Sequence, residues 1–248
     1  MPLAPFFTFY GGKYRAAPRY PTPVYDTIIE PFAGSAGYSV RHAARHVILV
    51  ERDPAVAATW RYLLSVSSAD MLALPDLKPG QSVDELRIPE EAKLLIGWYC
   101  GRGLSAPRKT QSVWISNYVA GMYGKGASPC IAWGPAVRAR IAGQLNSIRH
   151  WSLIEGDYTA APDIAATWFI DPPYIEAGKH YRFGAKTLDY AALADWCRTR
   201  RGQIMVCENV GATWLPFRPY IDIKASESKH GGKISREAIY MLSDANDE

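Results

Sequence analysis

The stretch TIIEPFAGSAG, residues 27–37, decides the fold that this sequence predicts. Its β-branched start, TIIE, predicts a short buried strand, and glycines 34 and 37 predict a tight turn that leads into a helical stretch. A second apolar run, VILVE at 47–51, ends in an acid and is followed by AVAATWRYLLSV, which has helical spacing. Strands that alternate with helices favour a mostly parallel sheet with helices on both faces.

The rest of the chain extends this pattern. Three apolar runs predict further strands, namely WSLIEGD at 151–157, TWFID at 167–171 and QIMVCEN at 203–209. YIDIKA and REAIYML, near the end of the chain, predict the two arms of an antiparallel hairpin. The sequence therefore predicts an α/β fold with a Rossmann-like sheet. Residues 1–71 and 151–248 would form the main domain, and residues 72–150 a mainly helical insertion.

Two helices are predicted in and beside the insertion. IPEEAKLLIGWYC carries Glu90 and Glu91 near its start, where negative charges favour a helix N-terminus. GPAVRARIAGQLNSIRHW has a proline at its first helical position and apolar residues at helical spacing. On one continuous helix, Arg138 and Arg149 would share a face about three turns apart.

Composition argues against several classes of protein. The 248 residues include four cysteines without CxxC spacing, and no apolar run approaches the roughly 20 residues of a membrane span. The N-terminus lacks a charged start followed by a long apolar run, so no secretory signal is predicted. His42 and His46 lie four residues apart in a predicted helix, but no third ligand is evident, and we predict no metal site. We expect a reduced, cytoplasmic protein.

The formal net charge of +4 is unevenly distributed. No Asp or Glu occurs between Glu91 and Glu155, and the residues outside this segment include 20 basic and 24 acidic side chains. Tryptophans and tyrosines are interleaved with the basic residues of the acid-free segment, as is typical of a surface that neutralises phosphates and stacks on bases. The alternative is a solvated basic face whose aromatic residues belong to the core. The basic residues are Lys93, Arg102, Arg108, Lys109, Lys125, Arg138, Arg140 and Arg149.

An acidic residue further along the chain supports a ligand-binding role for the glycine loop. Glu51 lies 21 residues after Glu30, at the end of the second predicted strand, where a carboxylate can accept hydrogen bonds from ribose hydroxyls. The loop has neither GxxxxGK[ST] nor a third glycine at the dinucleotide spacing. A nucleoside-containing cofactor is therefore favoured over ATP hydrolysis or NAD binding.

A second turn, IDPPY at 170–174, ends another predicted strand. Proline fixes φ and lacks an N–H, so the Pro-Pro pair stiffens the turn and sets the direction of the Pro172 carbonyl. That carbonyl and the Asp171 carboxylate are two acceptors, which suit an amino group such as that of adenine. Tyr174 would stack on the base. The alternative is a strand-end turn with a capping aspartate and a core tyrosine.

The chain resembles a known family in six blocks that occur in the family's order. These are FYGGK at 9–13, EPFAGSAG at 30–37, VERD at 50–53, GDY at 156–158, DPPY at 171–174 and HGGKISREAIYML at 230–242. With them the chain resembles the Dam-like, D12-class DNA adenine methyltransferases. The resemblance implies methyl transfer from S-adenosylmethionine to the 6-amino group of a flipped adenine in double-stranded DNA. It also implies a methyltransferase-type sheet, an inserted DNA-recognition region, and a bacterial or phage-infected cell as the setting.

The resemblance also assigns roles to residues. Glu51 would hold the cofactor's ribose, Asp157 would lie near its adenine, and Phe9 stands where a tryptophan is common in the family. The implied catalytic residues are Asp171, Pro172 and Tyr174. The implied cofactor-binding residues are Phe9, Lys13, Glu30, Phe32, Gly34, Glu51, Asp157 and Asp171. The expected DNA contacts are Arg102, Arg108, Lys109, Lys125, Arg138 and Arg149.

Two alternatives to this function stay open. DPPY-like turns also serve other planar amines, so the substrate could be RNA or a protein amide. A DNA-binding module of the same fold without turnover is the alternative from another class, although the presence of Lys13, Glu51, Asp171 and Tyr174 argues against it. The insertion contains no recognition sequence that identifies a target site.

Overall fold

The described part of the chain is built on one seven-stranded sheet. The computed structural model describes residues 3–122, 131–176, 178, 181–224 and 234–243. The order across the sheet is β3-β2-β1-β4-β5-β7-β6, and of these strands β7 alone runs in the opposite direction to the other six. The predicted α/β fold with a mostly parallel sheet and a C-terminal antiparallel hairpin is confirmed. The strands are β1 Thr27–Glu30, β2 His46–Glu51, β3 Ser152–Glu155, β4 Ala166–Ile170, β5 Gly202–Asn209, β6 Arg218–Lys224 and β7 Ile234–Ser243.

Helices cover both faces of this sheet. Successive residues of β1 point to different cores, because Ile28 packs in a cluster with Trp60 and Ile29 packs in a cluster with Leu193. The described helices are α1 Pro54–Ser65, α2 Ser68–Ala73, α3 Glu90–Trp98, α4 Val113–Val119, α5 Pro135–Ala142 and α6 Tyr190–Arg198. None of these helices is long and apolar enough to cross a bilayer.

The two central strands β4 and β5 are buried almost throughout. All five residues of β4 and the first seven of β5 are buried. Such continuous burial is expected of parallel strands that are covered on both faces, whereas a strand with one wet face alternates. The covered sheet leaves its strand ends as the place where loops from different strands can meet.

The helical segment between β2 and β3 shares a core with the sheet. Trp98 and Trp133 are buried in the same cluster as Leu49 of β2. The indole N–H of Trp98 donates to the hydroxyl of Thr59 in α1 at 3.0 Å, and that of Trp133 donates to the carbonyl of Pro75 at 2.9 Å. These aromatic residues of the acid-free segment therefore belong to the core, as the alternative interpretation held.

The stretch after the glycine loop forms less helix than we predicted. It makes one 3₁₀ turn, Ser39–His42, and His46 already begins β2. Because β2 must start opposite Thr27, only three residues remain between the turn and the strand. His42 and His46 therefore do not share a helix face.

The predicted helix from Gly134 is also shorter than its apolar pattern suggested. Helix α5 ends at Ala142 with Gly143 as its C-cap, and a separate 3₁₀ turn covers Leu145–Ile148. Glycine disfavours a helix interior and favours its end. The prediction that Arg138 and Arg149 share a helix face was wrong.

Candidate active site

A cleft opens at the carboxyl ends of β1, β2 and β4. The strand order reverses between β1 and β4, and in open α/β sheets ligands bind at such a switch point. Glu30 ends β1, Glu51 ends β2, and Asp171 directly follows β4. The cleft encloses about 900 Å³ of empty space, including its solvent-open mouth.

The structure brings the predicted cofactor residues together around this cleft. All of them line it, although they come from five separate stretches of the chain. Of the predicted catalytic turn, Asp171 lines the cleft, whereas Pro172 and Tyr174 are not part of the described lining. The lining includes Phe9, Lys13, Glu30, Phe32, Gly34, Glu51, Asp157 and Asp171.

Contacts with Phe9, Glu51 and Trp60 fix the conformation of the glycine loop at Gly34. Gly34 has a φ of +47°, and a β-carbon there would lie 3.1 Å from the ring of Phe9. Its N–H donates to Glu51 Oε2 at 2.9 Å, and its carbonyl accepts from the indole of Trp60 at 2.7 Å. A side chain at Gly34 would both strain the backbone and press on Phe9.

Glu51 joins the loop to the end of β2. Its Oε1 accepts the N–H of Asp53 at 2.7 Å, and its Oε2 accepts the N–H of Gly34. Burial raises the pKa of Glu51 to about 7, and the backbone hydrogen bonds oppose that rise. Each carboxylate oxygen has a second lone pair, so Glu51 can still accept a hydrogen bond from a ligand hydroxyl.

Aromatic rings and a more exposed acid line the same cleft. Phe32 stacks on Tyr158 with ring centroids 5.6 Å apart. Asp157 begins the 3₁₀ turn Tyr158–Ala160, and its carboxylate lies 3.5 Å from the guanidinium of Arg52. The apolar ring of Phe32 and the carboxylate of Asp157 are suited to the face and the amino edge of a purine.

Asp171 lies beside a buried lysine. The Nζ atom of Lys13 is 2.9 Å from Asp171 Oδ1 and 3.7 Å from Oε2 of Glu237 in β7. Burial lowers the pKa of Lys13, but Asp171 and Glu237 more than compensate, so this pKa lies above its ordinary value. Burial raises the pKa of Asp171, Lys13 opposes the rise, and Glu237 adds to it.

Tyr174 is packed beneath the site. Its ring is buried, and Lys13 Nζ lies 4.6 Å from the ring centroid. Its hydroxyl donates to Glu237 Oε2. The ring that we expected to stack on a base is therefore turned towards the lysine in this structure.

The turn itself is braced by a half-buried tyrosine and a buried glutamate. The hydroxyl of Tyr190 donates to the carbonyl of Pro173, and the N–H of Ile175 donates to Glu208 Oε2 at 3.3 Å. Glu208 is buried near the end of β5 and also accepts from the indole of Trp214 at 3.2 Å. The two prolines already restrict the backbone of the turn, and these contacts restrict it further.

Two residues of the site were missed by the sequence analysis. Tyr181 lines the cleft, stacks on Phe9 at 5.7 Å and donates its hydroxyl to the Tyr10 carbonyl at 2.9 Å. Glu237 contacts both Lys13 and Tyr174. The only available signal for Glu237 was an acid that precedes the apolar run AIYML in a predicted strand.

The expected DNA contacts fall into two groups. Arg102, Arg108 and Lys109 are exposed in the loop between α3 and α4, and Arg102 lies over the ring of Trp114 at 4.8 Å. Lys109 Nζ is 2.6 Å from Asp84 Oδ2. Lys125 lies outside the described residues.

The other two arginines are engaged within the fold. Arg138 is mostly buried and pairs with Asp76. Arg149 donates to the carbonyls of Leu63, Leu64 and Val66 at the end of α1. Their hydrogen bonds are used internally, so these contacts do not favour the predicted role in binding phosphate.

The arrangement combines three chemical elements. A glycine loop backed by Glu51 can hold a nucleoside, aromatic rings can pack on it, and Asp171 presents a carboxylate to the cleft. Strand β1 lies between β2, which ends in Glu51, and β4, which Asp171 follows. Both carboxylates line the same cleft. Comparison with protein-family models finds no matching family, and comparison with curated proteins finds no matching relative.

Proposed function

We propose that this protein is a DNA methyltransferase that transfers a methyl group from S-adenosylmethionine to the 6-amino group of adenine. The observation that carries the proposal is the single cleft that contains both the glycine loop with Glu51 and the carboxylate of Asp171. A nucleoside site next to a carboxylate that can accept an amino hydrogen is what this reaction requires. The six sequence blocks support the same function.

The residues of the cleft fit the cofactor. Close packing of Phe9 against Gly34 leaves loop backbone, rather than a side chain, at the cleft wall. Glu51 has lone pairs left for ribose hydroxyls, and Asp157 with Phe32 can bind the adenine. S-adenosylmethionine, when bound, supplies an electrophilic methyl group.

Asp171 would act on the substrate amine. Its carboxylate accepts an N–H of the amino group, which draws the nitrogen towards tetrahedral geometry and makes its lone pair available. Lys13 favours the charged form of this carboxylate and holds it in place, since the two groups are 2.9 Å apart in a largely buried setting. As the new N–C bond forms, the bond between the methyl carbon and the sulfonium sulfur would break, and the sulfur would leave as a neutral thioether. The amine nitrogen would lose one proton, which Asp171 can pass to solvent through the open mouth of the cleft.

The exposed basic loop supports DNA as the substrate. Its residue Ser105 lines the cleft, and the carbonyl of Leu104 accepts the N–H of Tyr10 at 2.8 Å. The loop therefore contributes to the cleft wall, and its basic residues Arg102, Arg108 and Lys109 are only a few residues from Ser105 in the sequence. Phosphates that contact them would place a flipped base near the cleft.

The test is a transfer assay with labelled S-adenosylmethionine on duplex DNA, RNA and protein. We expect label in DNA as N6-methyladenine, and Asp171→Ala should lower turnover by about 100-fold or more because an acceptor in the transition state is lost. Asp195→Asn, which neutralises an exposed aspartate of α6, is the control and should keep full turnover.

Each other outcome would overturn a defined part of the proposal. Label in RNA or protein instead of DNA would contradict the substrate. DNA binding without any transfer would favour the DNA-binding module. Near-normal turnover in Asp171→Ala would remove Asp171 from the chemistry.

A further inference from the structure

Glu237 is a buried acid in the middle of the C-terminal hairpin. It lies in β7, pairs in register with Asn209 of β5, and has a side chain that is 5% exposed. Strand β7 comes last in the described chain and is distant in sequence from the loop that carries Lys13. The sheet nevertheless brings the Glu237 carboxylate to 3.7 Å from Lys13 Nζ.

Both oxygens of Glu237 accept hydrogen bonds. Oε1 accepts from the hydroxyl of Ser235 at 3.1 Å, and Oε2 accepts from the hydroxyl of Tyr174. Lys13 Nζ also lies on the Oε2 side. Glu237 therefore contacts three side chains, those of Ser235, Tyr174 and Lys13.

Lys13 has two acidic neighbours, Asp171 and Glu237. Lys13 and Asp171 already form a close pair, and burying one more carboxylate costs free energy that a neutral side chain would avoid. Such an extra buried charge is more common at a functional site than in a purely structural core. Its position beneath Lys13 and Tyr174 connects it to the catalytic turn.

We infer that Glu237 is a positioning residue of the active site, which fixes the positions of Lys13 and Tyr174 and, through Lys13, the orientation of Asp171, and whose own negative charge acts on Asp171. This inference rests on the proposed function for the role of Asp171 in the reaction. The contacts among the four side chains do not depend on it. Glu237 itself does not line the cleft.

Glu237 also affects proton binding at Asp171. Glu237 is one of the causes that raise the pKa of Asp171, so removing its charge should lower that pKa. The other titratable groups around Asp171 would remain, and Lys13 would continue to favour the ionised carboxylate. Those groups are Lys13, Tyr20, Glu30, Tyr174, Tyr181, Cys207 and Glu208.

Carboxyl-carbon NMR of the whole protein can measure this change without any reaction. The Asp171 signal is assigned from its loss in Asp171→Asn. In Glu237→Gln, which keeps the shape and an acceptor oxygen, we expect the pKa of Asp171 to fall, because one of the causes that raise it is removed. Asp222→Asn is the matched control, because it removes one exposed carboxylate from the adjacent strand β6, and it should leave the Asp171 pKa unchanged.

Glu237→Asp separates charge from position. It keeps the negative charge but shortens the side chain by one methylene, so the pKa of Asp171 should stay near that of the wild type. Turnover should fall by about 10-fold or more because Lys13 and Tyr174 lose their fixed partner. The dissociation constant of S-adenosylmethionine should change by less than about 3-fold, since Glu237 does not reach the cleft.

The acid limb of the kcat profile supplies the second readout. In Glu237→Gln it should move to lower pH together with the Asp171 signal. An unchanged pKa of Asp171 in folded Glu237→Gln would overturn the inference. It would also be overturned if Glu237→Gln failed to fold while Glu237→Asp folded, since the charge of Glu237 would then serve stability. If the wild type transfers no methyl group, the proposed function fails, while the NMR titration still decides the role of Glu237.

Discussion

At the scale of one residue, Glu30 is a side chain of the cleft whose burial costs the fold stability. It ends β1 and is almost fully buried, and its Oε1 accepts the N–H of Ser39 at 2.7 Å. Burial raises the pKa of Glu30 to about 8, against the opposing hydrogen bonds from Ser39. A raised pKa means that the folded state binds this proton more tightly than the unfolded state does.

The sign of the pH dependence follows from that shift. Protonated Glu30 favours folding, so its contribution is fully present below the ordinary pKa of 4.5 and is lost as the pH rises towards about 8. We predict that Glu30→Gln is more stable than the wild type at pH 9, by up to several kcal/mol, and nearly equal at pH 4. Urea unfolding of both proteins at the two pH values measures the difference, and an equal difference at both would contradict the prediction.

At the scale of residues, the sequence predicted the site residues at strand ends but did not predict those contributed by distant parts of the chain. Glu51 and Asp171 were predictable because an acid directly after a buried strand must emerge at the edge of the sheet. Glu237 was not, because its partner Lys13 lies more than 200 residues earlier in the chain. Only the pairing of β7 with β5 determines that these side chains meet.

At the scale of elements, the strands were easier to predict than the helices. Buried strands such as β4 and β5 are continuous apolar runs with clear ends, and their bounds agree closely with the prediction. Helix ends depend on single residues instead. The apolar spacing after Gly134 continues beyond Gly143, but the glycine ends α5 and the pattern is then shared with a 3₁₀ turn.

The position of Arg149 follows from that break. Its guanidinium reaches the end of α1, where the last carbonyls of a helix have no partner within the helix. We predict that Arg149→Met lowers the free energy of unfolding by roughly 1–2 kcal/mol, as expected for the loss of hydrogen bonds from a charged donor. Urea unfolding is the measurement.

Arg87→Met is the matched control for this prediction. Arg87 is an exposed arginine of the same segment between β2 and β3, so its replacement should change the stability by less than about 0.5 kcal/mol. Equal effects of the two substitutions would mean that Arg149 does not cap α1 in solution.

At the scale of the whole molecule, the described residues of the acid-free segment fall into two groups. Its buried tryptophans belong to the core and Arg149, although exposed, donates to carbonyls at the end of α1, whereas Arg102, Arg108 and Lys109 lie on an exposed loop next to the cleft. Composition identified the segment as unusual, but a count of charges does not distinguish Arg149 from the three basic residues of the loop. Their positions in the fold, where α3 packs on α1 and α5 packs on α2, distinguish them.

This division makes a prediction about salt. If the exposed loop contacts phosphates, the logarithm of the affinity for duplex DNA should fall with the logarithm of salt concentration by about 0.9 per phosphate. Replacing Arg108 and Lys109 together with alanine should flatten that slope by up to about 2. The ion pair of Lys109 with Asp84 does not prevent this, because an exposed pair is weak and can be exchanged for a phosphate.

Arg149→Met tests the same division from the other side. It removes one positive charge from the acid-free segment, so a model in which only total charge matters predicts a flatter slope for this variant as well. We expect an unchanged slope, since the guanidinium of Arg149 is directed at the carbonyls of α1. Fluorescence anisotropy with a labelled duplex between about 50 and 200 mM salt measures both variants. If the double alanine variant keeps the wild-type slope while Arg149→Met flattens it, the loop beside the cleft is not the DNA-binding surface.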